Sequence, residues 1–245
     1  MSEKSIDKEA KKLKKLEITK NILDDPKIKV LCSAIESIPG GAIIISPLED
    51  IIEPKLQKEI ERKKENLIEQ VFNGNLITID DLNDIDFITE FRRLYEAVMK
   101  ARGNKKIQYM VDLFKGTVCN KDRGFNMFEE CLNELSGMSE REIDLLFELY
   151  DCRKKGNIDA ENLGEMFYGE VKNKFGISKD MTDAILSKLR KTGFVIENQD
   201  IYASGTGLEY YITEYGEEMI KIILDKANDD REDIDNESYW YSKKR

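Results

Sequence analysis

Enzymes working near neutral pH usually recruit histidine, and the 245 residues of this chain contain none. That excludes Ser-His-Asp and Cys-His nucleophilic catalysis and every His-ligated metal site. It also removes the usual proton shuttle. Chemistry would have to run on carboxylates, Lys, Tyr, Ser or a bound cofactor. Two spacings come nearest to such chemistry. Glu170-Val-Lys172, with Asp159 upstream, has the acid-x-lysine order of metal-dependent nucleases, in which carboxylates hold a divalent ion beside a lysine. That order works on strands, whereas this segment has helical periodicity. Asp151 to Asn162 places its Asp, Gly156 and Ile158 as a calcium-binding EF-hand loop does. Such a loop also needs oxygen donors at its third and fifth positions and a bidentate Glu at its twelfth. Arg153, Lys155 and Asn162 stand there instead. Two cations inside a calcium cage repel the ion, so the segment reads as an inter-helix turn with Asp159 capping the next helix. The acidic cluster from Asp80 to Asp86 is explained by capping and solvation rather than by a hard cation. No phosphate loop and no G-x-G-x-x-G fingerprint occurs. The expectation is a non-enzymatic chain with no catalytic residues, no cofactor and no metal.

The remaining chemistry is binding. Lys179, Lys188, Arg190 and Lys191 decorate one helix, offset by Asp180 and Asp183. DNA readout wants Arg, Asn or Gln aimed at base edges and further cations for phosphate. The loop expected to supply those cations, Glu197 to Glu209, carries acids and no Lys or Arg. A net charge of −10 also argues against a general binder of nucleic acid or anionic lipid. A protein partner of unknown identity is therefore favoured. DNA binding through Lys179, Lys188, Arg190 and Lys191, as in a transcriptional regulator, is the alternative. A homo-oligomer is compatible with the sequence.

The elements that would position these residues follow from periodicity. Residues 1–25 alternate Lys, Glu and Asp with sparse Leu and Ile, which reads as a charged arm. Lys29 to Pro47 is the most apolar stretch, broken by Pro39-Gly40-Gly41. Its first reading is a buried hairpin in which the glycines permit close packing. The second is a membrane-active element over 38–45, too short to span a bilayer as one helix. Leu56, Ile60, Leu67 and Val71 lie on one stripe of a charged helix. Three further stripes follow, led by Phe87, Phe91, Leu94 and Val98, by Ile107, Met110, Val111 and Phe114, and by Phe128, Cys131, Leu132 and Leu135. Together, residues 26–137 predict an α-helical bundle with short connections.

Residues 138–226 predict a winged helix. Ser139-Glu-Arg-Glu142 opens a capped helix, a second helix follows, and Ser178 to Gly193 takes the recognition-helix position. Phe194-Val-Ile196 and Leu208 to Ile212 supply a small β-wing, and Ile212 to Leu224 closes the unit with a helix. Residues 227–245 form an acidic tail with an aromatic and basic tip, Tyr239 to Arg245. Cys32, Cys119, Cys131 and Cys152 contain no C-x-x-C pair and are expected to be reduced. Neither a signal pattern over Met1 to Lys20 nor a membrane-length apolar run is present, so the expected localisation is cytoplasmic.

Several segments, in order, resemble a loosely defined group of bacterial proteins that includes those named for abortive infection, the alpha-type family. The residues are Ile38-Pro-Gly-Gly-Ala-Ile43, Lys105 to Phe114, Leu135 with Met138 to Phe147, and Tyr211 to Ile222. The resemblance implies a bacterial protein linked to phage defence or a prophage. It implies no catalytic residues. The mainly α fold, an N-terminal bundle followed by a C-terminal winged helix, is the frame in which a protein-contact role is expected.

Overall fold

Capping chemistry decides where the helices begin. A computed structural model of the chain describes residues 49–72, 84–119, 125–154, 160–197 and 210–229, with Pro26, Ile77 and Asp81 besides. Among them are eight α-helices and one two-stranded sheet, a mainly helical architecture. The chain divides into two compact units, 1–129 and 130–245. The arm over 1–25, the Pro39-Gly40-Gly41 hairpin, most of the expected wing and the end of the tail lie outside the described residues. No helix among the described residues is long and apolar enough to cross a membrane.

In the first unit, α1 (Glu49–Phe72), α2 (Ile85–Lys100) and α3 (Asn104–Cys119) pack against one another, and α4 (Phe125–Gly137) begins before the division. Asp84 accepts a hydrogen bond from the Asp86 N–H at 2.9 Å and so caps α2. At the other end of α2 the Lys63 ammonium donates to the carbonyls of Met99 and Ala101, at 3.0 and 2.7 Å. These are carbonyls that a helix C-terminus otherwise leaves to solvent. Gly103, with φ 93°, makes the turn into α3. The apolar stripes meet in a chain of five rings, Phe72, Phe87, Phe91, Phe114 and Phe128, with neighbouring centroids 5.4 to 6.2 Å apart. Most of the pairs are tilted or edge-to-face, the arrangement the ring quadrupole prefers. Helix α3 is buried well beyond one stripe: Lys106, Asp112, Lys115 and Thr117 are buried with its apolar residues.

The second unit is arranged about α5 (Glu140–Lys154). Helices α6 (Ala160–Phe175), α7 (Lys179–Leu189) and α8 (Glu214–Asp229) all pack on it, as does strand β2 (Tyr210–Ile212). Sequence periodicity predicts one buried face on α5, with Ile143, Leu146, Phe147 and Tyr150. Leu145, Leu149, Glu142, Glu148 and Cys152 are buried too, because neighbours approach the helix from several sides. Ser139 and Glu142 form a reciprocal capping box at its start, with N···O distances of 2.6 and 3.3 Å.

A 3₁₀ turn, Arg190–Thr192, ends at Gly193 with φ 78° and leads into β1 (Val195–Glu197). β1 runs antiparallel to β2, with Val195 opposite Ile212 and Ile196 opposite Tyr211. Val195 and Ile212 face the core while Ile196 faces solvent, the two-residue alternation of a half-buried sheet. Helix α8 is tied to the same turn. The Thr213 N–H donates to the Phe194 carbonyl at 2.9 Å, and the Thr213 hydroxyl donates to the Gly193 carbonyl at 2.7 Å. That hydroxyl also accepts from the Gly216 N–H at 3.1 Å, and the Phe194 and Tyr215 rings stack 5.0 Å apart.

Candidate functional site

Helix α7, starting from its Ser178 cap, carries two of the four cations expected to face a partner, Lys179 and Lys188, and the 3₁₀ turn after it carries Arg190 and Lys191. Two of the four already have a carboxylate. Lys188 is bonded to Oε1 of Glu142, the residue whose Oε2 completes the capping box of α5. Burial pushes the Glu142 carboxyl up, but Lys188 and the Ser139 backbone and hydroxyl outweigh it and hold the group below its ordinary value. Arg190, just past the helix, is bonded to Glu197 on β1. The Lys179 ammonium lies 5.0 Å above the Tyr168 ring, a cation–π distance, and the Tyr168 hydroxyl donates to Asp183 of α7 at 2.5 Å. Lys191 is exposed and has no ion pair among the described residues. The four residues do lie on consecutive elements, α7 and its 3₁₀ turn, yet the charge of two is met inside the unit. Met181 and Ile196 are exposed apolar side chains on α7 and β1.

The segment that mimics a calcium loop is used differently. Residues 155–159 lie outside the described residues, so the Asp159 cap does too. Arg153 donates to the Ile212 carbonyl at 2.5 Å and pairs with Glu217 at 2.8 Å, joining α5 to β2 and α8. In the acid-x-lysine segment it is Lys174, not Lys172, that meets Glu170, at 3.2 Å, four residues along α6.

Lys174 belongs to a cluster that sequence analysis did not assemble. Its ammonium also donates to both oxygens of Glu148 on α5, at 3.0 and 2.7 Å. Cys152, one turn after Glu148, is fully buried. The thiol and one oxygen each of Glu148 and Glu170 all lie within 4.8 Å of one another. Burial, followed by the hydrogen bond to Glu170, pushes the Glu148 carboxyl up, against the pull of Lys174. The available signal was a pair of i, i+4 spacings, Glu148 with Cys152 and Glu170 with Lys174; only the register of α6 on α5 brings them together. A second thiol, Cys131 on α4, donates to the Tyr215 hydroxyl at 3.6 Å. Burial pushes that thiol up to about 11, which makes it an inert core thiol at neutral pH.

Comparison of the chain with family models, curated proteins and solved structures returns no match.

Proposed function

We propose that this chain is a non-enzymatic, cytoplasmic bacterial interaction protein whose second unit is a winged helix used as a protein-contact module. The order α5, α6, α7, β1, β2, α8, with antiparallel strands after the third helix, supports the winged-helix reading. The observation that carries the contact reading is the neutralisation of α7. Phosphate affinity comes from free Lys and Arg side chains that displace the small counterions condensed on the nucleic-acid backbone. Lys188 and Arg190 would instead have to give up Glu142 and Glu197. Glu142 is a buried carboxylate with a side chain only 7% exposed, so stripping away its ammonium leaves a buried charge uncompensated. A protein surface can use the exposed Met181 and Ile196 without that loss. The likeness of residues 38–43, 105–114, 135–147 and 211–222 to alpha-type abortive-infection proteins supports a setting in phage defence or on a prophage.

Fluorescence anisotropy with random duplex DNA, at low and then physiological salt, tests the reading. The wild-type chain is expected not to bind at either salt. Glu142→Gln/Glu197→Gln, which releases both cations, is expected to acquire weak, salt-sensitive binding. Wild-type binding with a steep salt slope would overturn the protein-contact reading and install a DNA-binding regulator using Lys179, Lys188, Arg190 and Lys191.

A further inference from the structure

The geometry points to a binding site for a zinc-class divalent cation, formed by the Cys152 thiolate with the carboxylates of Glu148 and Glu170. The donors come from two packed helices. Glu148 and Cys152 are one turn apart on α5, and Glu170 faces them from α6, with the three ligand atoms within 4.8 Å of one another. A tetrahedral ion with bonds of about 2.0–2.3 Å holds its ligands roughly 3.5 Å apart, so the group closes by about 1 Å on binding. Two glutamates with three rotatable bonds each can supply that movement.

A cation already sits against this group. The Lys174 ammonium, 2.7 Å from Glu148 and 3.2 Å from Glu170, is bound by two of the three donors, as a positive ion would be. Its side chain is 46% exposed, so the ammonium can withdraw to solvent and be replaced without moving either helix. Replacement exchanges one positive charge for two and lets the Cys152 thiol lose its proton to solvent as the metal–sulfur bond forms. The donor set selects the ion. A thiolate excludes magnesium and calcium, whereas one sulfur with two carboxylate oxygens suits zinc and its analogue cobalt. Three protein ligands leave a fourth position for water, and the site couples α5 to α6 in the unit that carries the basic helix. The site stands apart from the contact reading, which uses none of its three ligands.

The test is a Co²⁺ titration of the full chain, reading the thiolate-to-cobalt charge-transfer absorption, with Zn²⁺ back-titration. The expected result is a saturable band that zinc abolishes. It should be lost in Cys152→Ser and kept when Cys32, Cys119 and Cys131 are all replaced by Ser. Lys174→Met, which removes the competing ammonium, should tighten cobalt roughly fivefold, the equivalent of a partly exposed ion pair. Glu170→Gln, at a half-buried position where folding is retained by circular dichroism, should weaken it at least about tenfold, as loss of a charged ligand does. No band at millimolar cobalt overturns the site. So does a band that survives Cys152→Ser, or an affinity unchanged by Glu170→Gln.

Discussion

Adding one methyl group to Gly216 should destabilise the second unit, whereas adding the same methyl group to Gly169 should stabilise it. Both glycines are helical, Gly216 in the first turn of α8 and Gly169 inside α6. A Cβ on Gly216 would lie 2.6 Å from the Phe194 carbonyl oxygen, 2.9 Å from Ile212 Cγ1 and 3.2 Å from Phe194 Cα. Ordinary contact begins near 3.5 Å, so backbone has to retreat by more than half an ångström, and overpacking of this kind costs about 1–3 kcal/mol. The Phe194 carbonyl also accepts from the Thr213 N–H at 2.9 Å, so its retreat strains a hydrogen bond with a net worth of about 1 kcal/mol. Alanine's helix preference returns at most about 1 kcal/mol. The net loss is roughly 1–3 kcal/mol. Around Gly169 nothing lies within 4 Å of the added atom, so Gly169→Ala keeps the propensity gain of about 0.5–1 kcal/mol. Hydrogen exchange followed peptide by peptide reads each change locally. Gly216→Ala should exchange roughly tenfold or more faster across α7, β1 and α8, whereas Gly169→Ala should slow exchange in α6. Wild-type or better protection in Gly216→Ala would refute the close approach of α8 to the turn at Phe194.

Three further outcomes follow from buried groups. The Glu142 carboxyl is held below its ordinary value of 4.5 in the folded state, so the unfolded chain binds the proton more readily. Stability of the second unit should then fall as pH drops from about 5 towards 3, and Glu142→Gln should flatten that dependence in exchange measurements corrected for intrinsic rate. Glu90 is opposite in sign. Burial raises its carboxyl, with Arg93 opposing and Glu129 adding to the rise, and its Oε2 is buried with no hydrogen-bond partner. The folded first unit therefore favours the proton, and its stability should decline as pH rises through the raised value, a decline absent in Glu90→Gln. Phe114 is fully buried against Phe87, Phe91 and Phe128; Phe114→Ala should cost about 3–5 kcal/mol and abolish slow exchange in α2 and α3.

What was legible in the sequence depends on how many neighbours an element has. Helix α2 meets its unit along one stripe, so Phe87, Phe91, Leu94 and Val98 announce themselves at a 3.6-residue period and all four are buried. Helix α5 is covered from several sides, and an apolar stripe cannot signal that Glu142, Glu148 and Cys152 are buried as well. The cap of α5 was legible because its partners, Ser139 and Glu142, are local. Charge partners were not. Lys188 and Glu142 are 46 residues apart, and Lys174 and Glu148 are 26 apart, so the types of the basic residues were readable but their neutralisation was not. The thiol and carboxylates near Lys174 fall in the same class, since each helix contributes an unremarkable i, i+4 pair.

The polar residues of α5 explain why the second unit has one arrangement rather than several. Apolar packing alone discriminates weakly between registers, because Leu145, Leu146 and Leu149 offer similar surface to helices shifted by a turn. Each neighbour also meets a charge on α5. Glu142 takes Lys188 from the end of α7 beside the 3₁₀ turn, Glu148 takes Lys174 from α6, and Arg153 takes Glu217 from α8 with the Ile212 carbonyl of β2. Sliding α7 by one turn, about 5.4 Å, would leave the Glu142 carboxylate buried without its ammonium. An orphaned buried charge costs about 3–5 kcal/mol, comparable with the stability of a small domain. Lys188, one of the four cations that could otherwise recruit phosphate, is thus employed in fixing the register of the helices. On the proposed contact reading, this use of Lys188 is one physical reason the acidic chain would not bind nucleic acid generally.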